Sequence, residues 1–292
     1  MLEFTIGKND KALRADRFLL KATTAPSSLI YKAFRKKDVK VNGAWIKEDY
    51  ILSENEVLRI YISDEFSKQK KVSEFEFSVP ILYEDDFIII FNKPKNLPCQ
   101  PDKNHKDATL ADFLKSYLYK KGEYLPENEN SFSPALCNRL DTNTQGLVIG
   151  AKTAAALREM NEHIRLHNVK KYYLCRTEGI PSPKKKVIDA FISKDEKNNK
   201  SRITESGKAI SMEYSVLSEE GNTALVEVLL KTGRSHQIRA YFSSIGHPLS
   251  GDKKYGAKKG GGQELTAYRL LFDFPENTTG VLSYLKGKEF HI

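Results

Sequence analysis

Three short segments of this 292-residue chain carry side chains whose types and spacing could do chemistry. Residues 138–146, NRLDTNTQG, set Arg139 two positions before Asp141 in a polar turn that runs into an apolar stretch. An aspartate there is a base or a nucleophile if a site faces it. The amides of its own turn would satisfy it equally well, and the residues leave both readings open. Residues 171–173, KYY, join a cation to two tyrosines that must face opposite sides of a strand. Tyrosine is ordinary in strands, so this segment acquires a function only if a site faces it. Residues 231–239, KTGRSHQIR, are followed by Gly246-His247-Pro248 and Gly251-Asp252. A strand ends at Gly233 and a helix opens near Ser235, so backbone amides, Arg234 and Arg239 gather on one side. Helix N-termini attract anions, and arginine suits bidentate recognition of phosphate or carboxylate. A run of Arg, Ser, His and Gln at a strand end is hard to explain by folding alone, and this segment is read as functional.

Other chemistries fit less well. His163 and His167 lie four apart on a helix, as two metal ligands would, but no Glu follows His163 and no third ligand stands out; both are expected to face solvent. Residues 231–233 repeat the K-T-G of penicillin-binding enzymes. The matching S-x-x-K occurs only in charged loops, at Ser67 and Ser182, and S-D-N is missing. Without a Walker loop, G-x-G-x-x-G or G-x-S-x-G, no nucleotide cofactor is expected.

The elements that position these residues follow from composition and periodicity. With 40% hydrophobic and 10% aromatic residues the chain can bury a substantial core. Lys+Arg number 47 against 38 Asp+Glu, and the net charge of +9 favours a polyanionic partner. The longest purely apolar stretch, 87–91, is far too short for a bilayer, so no membrane partner is expected. The opening MLEFTIGKND lacks the apolar region of a secretory signal. The three cysteines make no C-x-x-C pair, so the expected compartment is a reducing cytoplasm.

Residues 1–63 hold twelve Lys/Arg and eight Asp/Glu, with five of the bases between positions 32 and 40. Within them, 27–37 reads as a helix capped by Ser27 or Ser28, with Leu29, Ile30 and Ala33 inward. A strand over 38–43 ends in an Asn-Gly turn, and a second strand covers 57–62. Residues 64–78, with Lys68, Lys70 and Lys71, read as a linker, and 79–292 as the main domain. There, 81–92 is strand–turn–strand, 109–119 a helix, and 147–150 a buried strand. Residues 154–167 form an amphipathic helix with Leu157, Met160 and Ile164 on one stripe. Strands at 171–177, 209–217 and 224–231, a helix over 235–244 and a closing strand at 265–274 complete the domain. The fold class expected is α+β, with a mixed, largely antiparallel sheet flanked by helices.

In this order the three segments resemble the RluA-type pseudouridine synthases, enzymes that isomerise uridine in RNA. Residues 138–146 are similar to that family's H-R-L-D-x-x-T-S-G, 171–173 to its K-x-Y, and 232–256 to its T-G-R-[TS]-H-Q-[IL]-R followed by G-H-P-x-x-G-D-x-x-Y-G. Tyr83-Glu84-Asp85-Asp86, Asn92-Lys93-Pro94 and Gly207-Lys208-Ala209 also resemble family positions. Asn138, Gln145, Asn96 and Tyr241 depart from the usual His, Ser, Gly and His; Asn96 can still adopt a left-handed turn. Residues 12–62 are similar to the αL RNA-binding module of a ribosomal small-subunit protein, through Arg14-x-x-Arg17-Phe18-Leu19, the basic helix and Val39-x-Val41-Asn42-Gly43.

The resemblance implies the pseudouridine synthase fold and an isomerase that needs neither metal nor organic cofactor. It implies that Asp141 is the essential carboxylate, acting on the ribose or base or taking the 2′ proton by way of a glycal. Arg239 is its implied partner, ahead of Arg234, and Tyr173 the face on which the flipped base stacks. Arg139 would fill the vacated stack, with Lys171, Arg234, His236 and Gln237 at the substrate. Arg14, Arg17, Lys32, Arg35 and Lys36 would hold RNA on the N-terminal module. The implied partner is structured RNA, ribosomal large-subunit RNA first and tRNA as the alternative, bound by a monomer. A non-catalytic assembly factor is the second reading and a hydrolase the third; intact Asp141, Tyr173 and Arg239 speak against the second.

Overall fold

The computed structural model describes residues 1–68, 72, 78–101 and 108–292. Its first unit is a four-stranded antiparallel sheet of β1 (Leu2–Thr5), β2 (Val39–Val41), β3 (Ala44–Trp45) and β4 (Val57–Ile60), in the order β1-β4-β2-β3. Two helices, α1 (Ala15–Ala22) and α2 (Ser27–Arg35), cover one face. Alternation decides which face: Val39, Val41, Leu58 and Ile60 point inward and join Phe18, Leu19, Ile30 and Phe34 in one core. Pro26, rather than Ser27 or Ser28, occupies the N-cap of α2; its fixed φ presets the entry to the helix. Asn42 takes φ 49° in the turn between β2 and β3, as the Asn-Gly pair predicts. Five positions expected in the linker, 64–68, pack back on this unit. Phe66 joins its core and Lys68 donates to the Lys21 carbonyl at 3.0 Å. Lys70 and Lys71 lie outside the described residues.

The second unit is built on one large sheet. Its strands are β5 (Ile81–Glu84), β6 (Ile88–Lys93), β7 (Ala135–Leu136), β8 (Gln145–Ala151), β9 (Val169–Glu178), β10 (Lys185–Asp195), β11 (Lys200–Thr204), β12 (Lys208–Glu220), β13 (Thr223–Leu230), β14 (Leu265–Phe272) and β15 (Glu289–His291). Among the described residues the order is β11-β10-β12-β13-β9-β14-β8-β6-β5, with β15 on β14 and β7 on β8. Only the β14–β8 pair is parallel in this set; the others run antiparallel. Helices α3 (Leu110–Lys120), α4 (Ala154–Arg165) and α5 (Gln237–Ser244) flank the sheet. Both faces of β6 are covered: Ile89 and Phe91 enter the core that includes α3 residues, Ile88 and Ile90 the core that includes Met160 of α4. Hence the unbroken apolar run IIIF.

The strand at 265–272, read as the closing strand, is followed by the short β15 and lies inside the sheet between β9 and β8. The β10–β11 hairpin had no clear sequence signal because it is solvated on one side. Val187 and Phe191 are exposed, while Ile188 and Ile192 are buried, so apolar residues occur at both parities. His163 is a second correction. It is buried, its ring stacked 3.7 Å from Phe274, with Asn168 Nδ2 at 3.2 Å from its Nδ1, and so it is a packing residue rather than a solvent-facing one. Among the described residues no helix is long and apolar enough to cross a membrane.

The two units touch directly. Asp10, buried in the first, accepts hydrogen bonds from Asn130 Nδ2 at 2.8 Å and from the Ser131 amide and hydroxyl at 3.2 and 2.5 Å. Asn9 accepts the Ala154 N–H at 3.0 Å, satisfying an amide in the first turn of α4, and donates to Glu129.

Candidate active site

The turn bearing Asp141 is held from several sides. Thr144 N–H closes it on the Asp141 carbonyl at 3.0 Å, and the fully buried Lys93 ammonium donates to Thr142 O at 3.0 Å. Lys93 also reaches Pro94 O and Leu97 O, at 2.9 and 2.8 Å, so one cation ties the turn to the loop after β6. Burial pushes its pKa down to about 8. Gln263 donates to the buried Thr144 hydroxyl at 3.2 Å, and the Leu140 amide rests on Cys99 Sγ at 3.3 Å. Asn138, in the place of the family's usual His, bonds the β8 backbone twice: Oδ1 accepts from Ile149 N–H at 2.8 Å and Nδ2 donates to Leu147 O at 3.3 Å. Asn96 takes φ 65°, the left-handed turn anticipated for it.

Opposite this turn stands Arg239, on the first turn of α5. Its Nη1 lies 2.9 Å from Asp141 Oδ2, while Nε and Nη2 grip both oxygens of Asp252 at 2.7 and 2.9 Å. Asp252 is 2% exposed, and the Tyr255 ring backs the guanidinium at 4.8 Å. Burial opposes the charge, but the Asp252 and Asp141 carboxylates outweigh it and raise the arginine's pKa. Arg239 is thereby pinned by one carboxylate and presents its remaining edge to another. Oδ1 of Asp141 has no partner among the described residues and faces whatever enters.

His236 lies between these groups. Its Nδ1 is 2.9 Å from the Tyr255 hydroxyl, which accepts the Ser201 N–H at 2.8 Å, and its Nε2 is 3.8 Å from Asp141 Oδ2. The phenol oxygen accepts from Ser201 and can give its own proton to Nδ1, the tautomer that turns Nε2–H toward Asp141. Burial lowers the His236 pKa, with Asp141 pulling the other way. The residue adopts φ 54°, a conformation that costs a non-glycine residue roughly 1–3 kcal/mol. Gln237 holds it there. Gln237 is 2% exposed, its Oε1 accepting from Thr232 Oγ1 at 2.9 Å and from Arg234 N–H at 3.1 Å. Its Nε2 donates to Ser211 O at 3.3 Å. Gln237, expected at the substrate, is buried here and bonded to the turn through both ends of its amide.

Tyr173 on β9 lies between Val228 of β13 and Ala267 of β14. It is buried, its hydroxyl has no hydrogen-bond partner among the described residues, and burial together with the Asp141 charge raises its pKa. Two positions earlier, on the same face, Lys171 is half-buried. Burial lowers its pKa, and its ammonium too is unpartnered among the described residues. Arg139 and Arg234 are exposed, Arg139 touching Gln100 at 3.2 Å and Arg234 donating to Ala209 O at 3.4 Å. Asp141, Tyr173, Arg239 and His236 thus come together. Arg17, Lys32, Arg35 and Lys36 are exposed on the first unit, and Arg14 is paired there with Asp16 at 3.0 Å. The roles of Lys93, Asp252, Tyr255 and Ser201 were not legible in the sequence; Lys93, Asp252 and Tyr255 appear there only as motif letters. Among the described residues no three His, Cys, Asp or Glu side chains gather as a metal set.

The fold is shared with a solved human structure, RNA pseudouridylate synthase domain containing 4. The TM-score is 0.56 at 24% identity, over 73% of this chain and 87% of that one. That likeness shows the fold, and the family model shows the class of protein, an RNA-modifying isomerase. The family model described as RNA pseudouridylate synthase matches residues 87–244, more than half of the chain, and the chain belongs to that family. It is 33% identical to ribosomal large subunit pseudouridine synthase C of Haemophilus influenzae, over 94% of this chain and 87% of the relative. It is 29% identical to ribosomal large subunit pseudouridine synthase D of Borreliella burgdorferi, over 94% and 86%.

Proposed function

We propose that this pseudouridine synthase acts on large-subunit ribosomal RNA, with Asp141 as its essential carboxylate. The observation that carries the site assignment is the 2.9 Å contact from Arg239, itself held by Asp252, which engages Oδ2 and leaves Oδ1 for the reacting atom. The reaction breaks the uracil N-glycosidic bond, rotates the base, joins C5 to the ribose and releases the C5 proton. Addition of Asp141 to ribose or base, or removal of the 2′ proton by way of a glycal, starts from the same carboxylate. The uridine must first leave its stack, at a few kcal/mol. Arg139 fills the space it leaves, and Tyr173 offers its ring to the flipped base, an interaction of about 1–3 kcal/mol. The unpartnered Tyr173 hydroxyl assists proton removal at C5. Lys171 and Arg234 meet the flanking phosphates.

The ribosomal target is supported by the names of the Haemophilus and Borreliella relatives. It is supported also by the likeness of the first unit to the αL module, with Arg14, Arg17, Lys32, Arg35 and Lys36 as its RNA contacts. Within this reading the enzyme acts as a monomer in the cytoplasm: Asp141, Arg239, His236 and Tyr173 all come from one chain, and its cysteines form no C-x-x-C pair. Pseudouridine mapping of total RNA from cells with and without the gene tests the target. Loss of modification in large-subunit RNA is expected; loss confined to tRNA would overturn it.

A further inference from the structure

Helices cover only one face of the N-terminal sheet, and the other face has an unusual composition. The register places Trp45 opposite Lys40, Lys40 opposite Arg59, and Arg59 opposite Glu3, so these four side chains form one row across the sheet. Trp45 is 44% exposed, and Tyr61, just beyond β4, is 46% exposed. Each ring has a lysine over it: Lys37 Nζ lies 5.0 Å from the Trp45 ring centroid and Lys40 Nζ 5.4 Å from that of Tyr61. A groove of about 420 Å³ opens beside the indole, lined in part by Asn42, Ala44, Ile46, Lys47, Asp49 and Tyr50. A packing role does not account for large aromatic rings left in water beside cations. The carboxylate of Asp49 repels a phosphate from the groove but accepts hydrogen bonds from base edges. Lys37 and Lys40 stand over the rings and Lys47 lines the groove, three cations against the one groove carboxylate, Asp49, so the surroundings favour a polyanion.

We infer that this outer sheet face is a docking site for unpaired RNA bases, with Trp45 as the stacking surface. Lys37 and Lys40 neutralise the backbone of the strand laid across it. The combination of open rings and interleaved cations selects single-stranded RNA over duplex, whose bases already stack on one another. The inference rests on the proposed RNA-binding role of the first unit. It adds a face distinct from the exposed bases of α2, Lys32 and Arg35, and their neighbour Lys36.

Trp45 is the chain's only tryptophan, so fluorescence of the full-length protein excited selectively at tryptophan, apart from the 14 tyrosines, reports on this face. Titration with short oligouridine should give saturable quenching, and a duplex hairpin much less. By anisotropy of labelled oligouridine, Trp45→Ala should weaken binding by about 5- to 150-fold, the equivalent of ~1–3 kcal/mol of stacking. Trp45→Phe should restore most of it. Unchanged affinity in Trp45→Ala, or equal quenching by duplex, would overturn the inference. If the triple variant Lys32→Ala, Arg35→Ala, Lys36→Ala still lost affinity in that case, the first unit would remain an RNA-binding module without this face. If neither variant lost affinity, both readings would fall.

Discussion

At the scale of single residues, the site depends on an arginine shared unequally between two carboxylates. Asp252 takes two donors of Arg239 in a buried pair, and Asp141 takes the third. Removing one partner of a buried pair costs about 3–5 kcal/mol, because the other charge is left uncompensated. Asp252→Asn should therefore lower stability by that order in chemical denaturation. It should also lower kcat by at least about tenfold, some 1.4 kcal/mol of lost positioning, with KM for RNA nearly unchanged. Lys93 makes a pH-dependent contribution of known sign. Its pKa is about 8 in the folded protein against an ordinary 10.5. Below pH 8 both states are protonated and the folded state bears the full penalty of a buried charge. Between about 8 and 10.5 the unfolded chain holds the proton that the folded chain has lost, so this contribution to stability rises with pH. Comparing Lys93→Met with the parent by denaturation at pH 7.5 and pH 10 should show that the variant lacks this increment.

At the scale of elements, the turn carrying Asp141 is fixed where β8 meets β14. Gly146 pairs with Ala267 at φ 119°, and a Cβ there would lie 2.2 Å from the Ala267 carbonyl oxygen. Gly146→Ala should push the two strands apart, lowering stability by about 1–3 kcal/mol and reducing turnover. Melting curves and a kinetic assay would check this, and an unchanged melting temperature would contradict it. The elements that could be read from sequence are those with one clean period: the strands over 209–217 and 224–231, and the helix over 154–167. The β10–β11 hairpin could not, since Val187, Ile188, Phe191 and Ile192 break the alternation. The helix at 235–244 was legible but not its true start, because no local signal shows that His236 takes a left-handed conformation. Motif letters singled out Asp141, Tyr173 and Arg239, which the structure brings near one another. They did not indicate that Gln237 turns inward or that Asp252 holds Arg239, since both facts depend on contacts between distant strands and helices.

At the scale of the whole molecule, the basic first unit and the catalytic unit are joined by more than the chain between them. Asp10 receives the Asn130 side chain and both donors of Ser131, and Asn9 accepts the first amide of α4. On the proposed RNA-binding role of the first unit, such a contact would fix where that RNA lies relative to Asp141, which a free tether would not do. Asp10→Ala leaves these donors unsatisfied, a loss of about 1–3 kcal/mol. It should raise KM several-fold for long structured RNA while leaving a short stem-loop substrate unaffected. Equal effects on both substrates would mean that the contact serves folding alone. Charge alone suggested a polyanion; it did not show that the units meet through these polar side chains.

The central claim is that Asp141, held by Arg239, isomerises uridine in RNA, and release of tritium from RNA labelled at uridine C5 tests it most directly. The full-length protein should release tritium from large-subunit ribosomal transcript, and Asp141→Asn should release none while binding that transcript within a few-fold of the parent. Tritium release by Asp141→Asn at the parent rate would contradict the account.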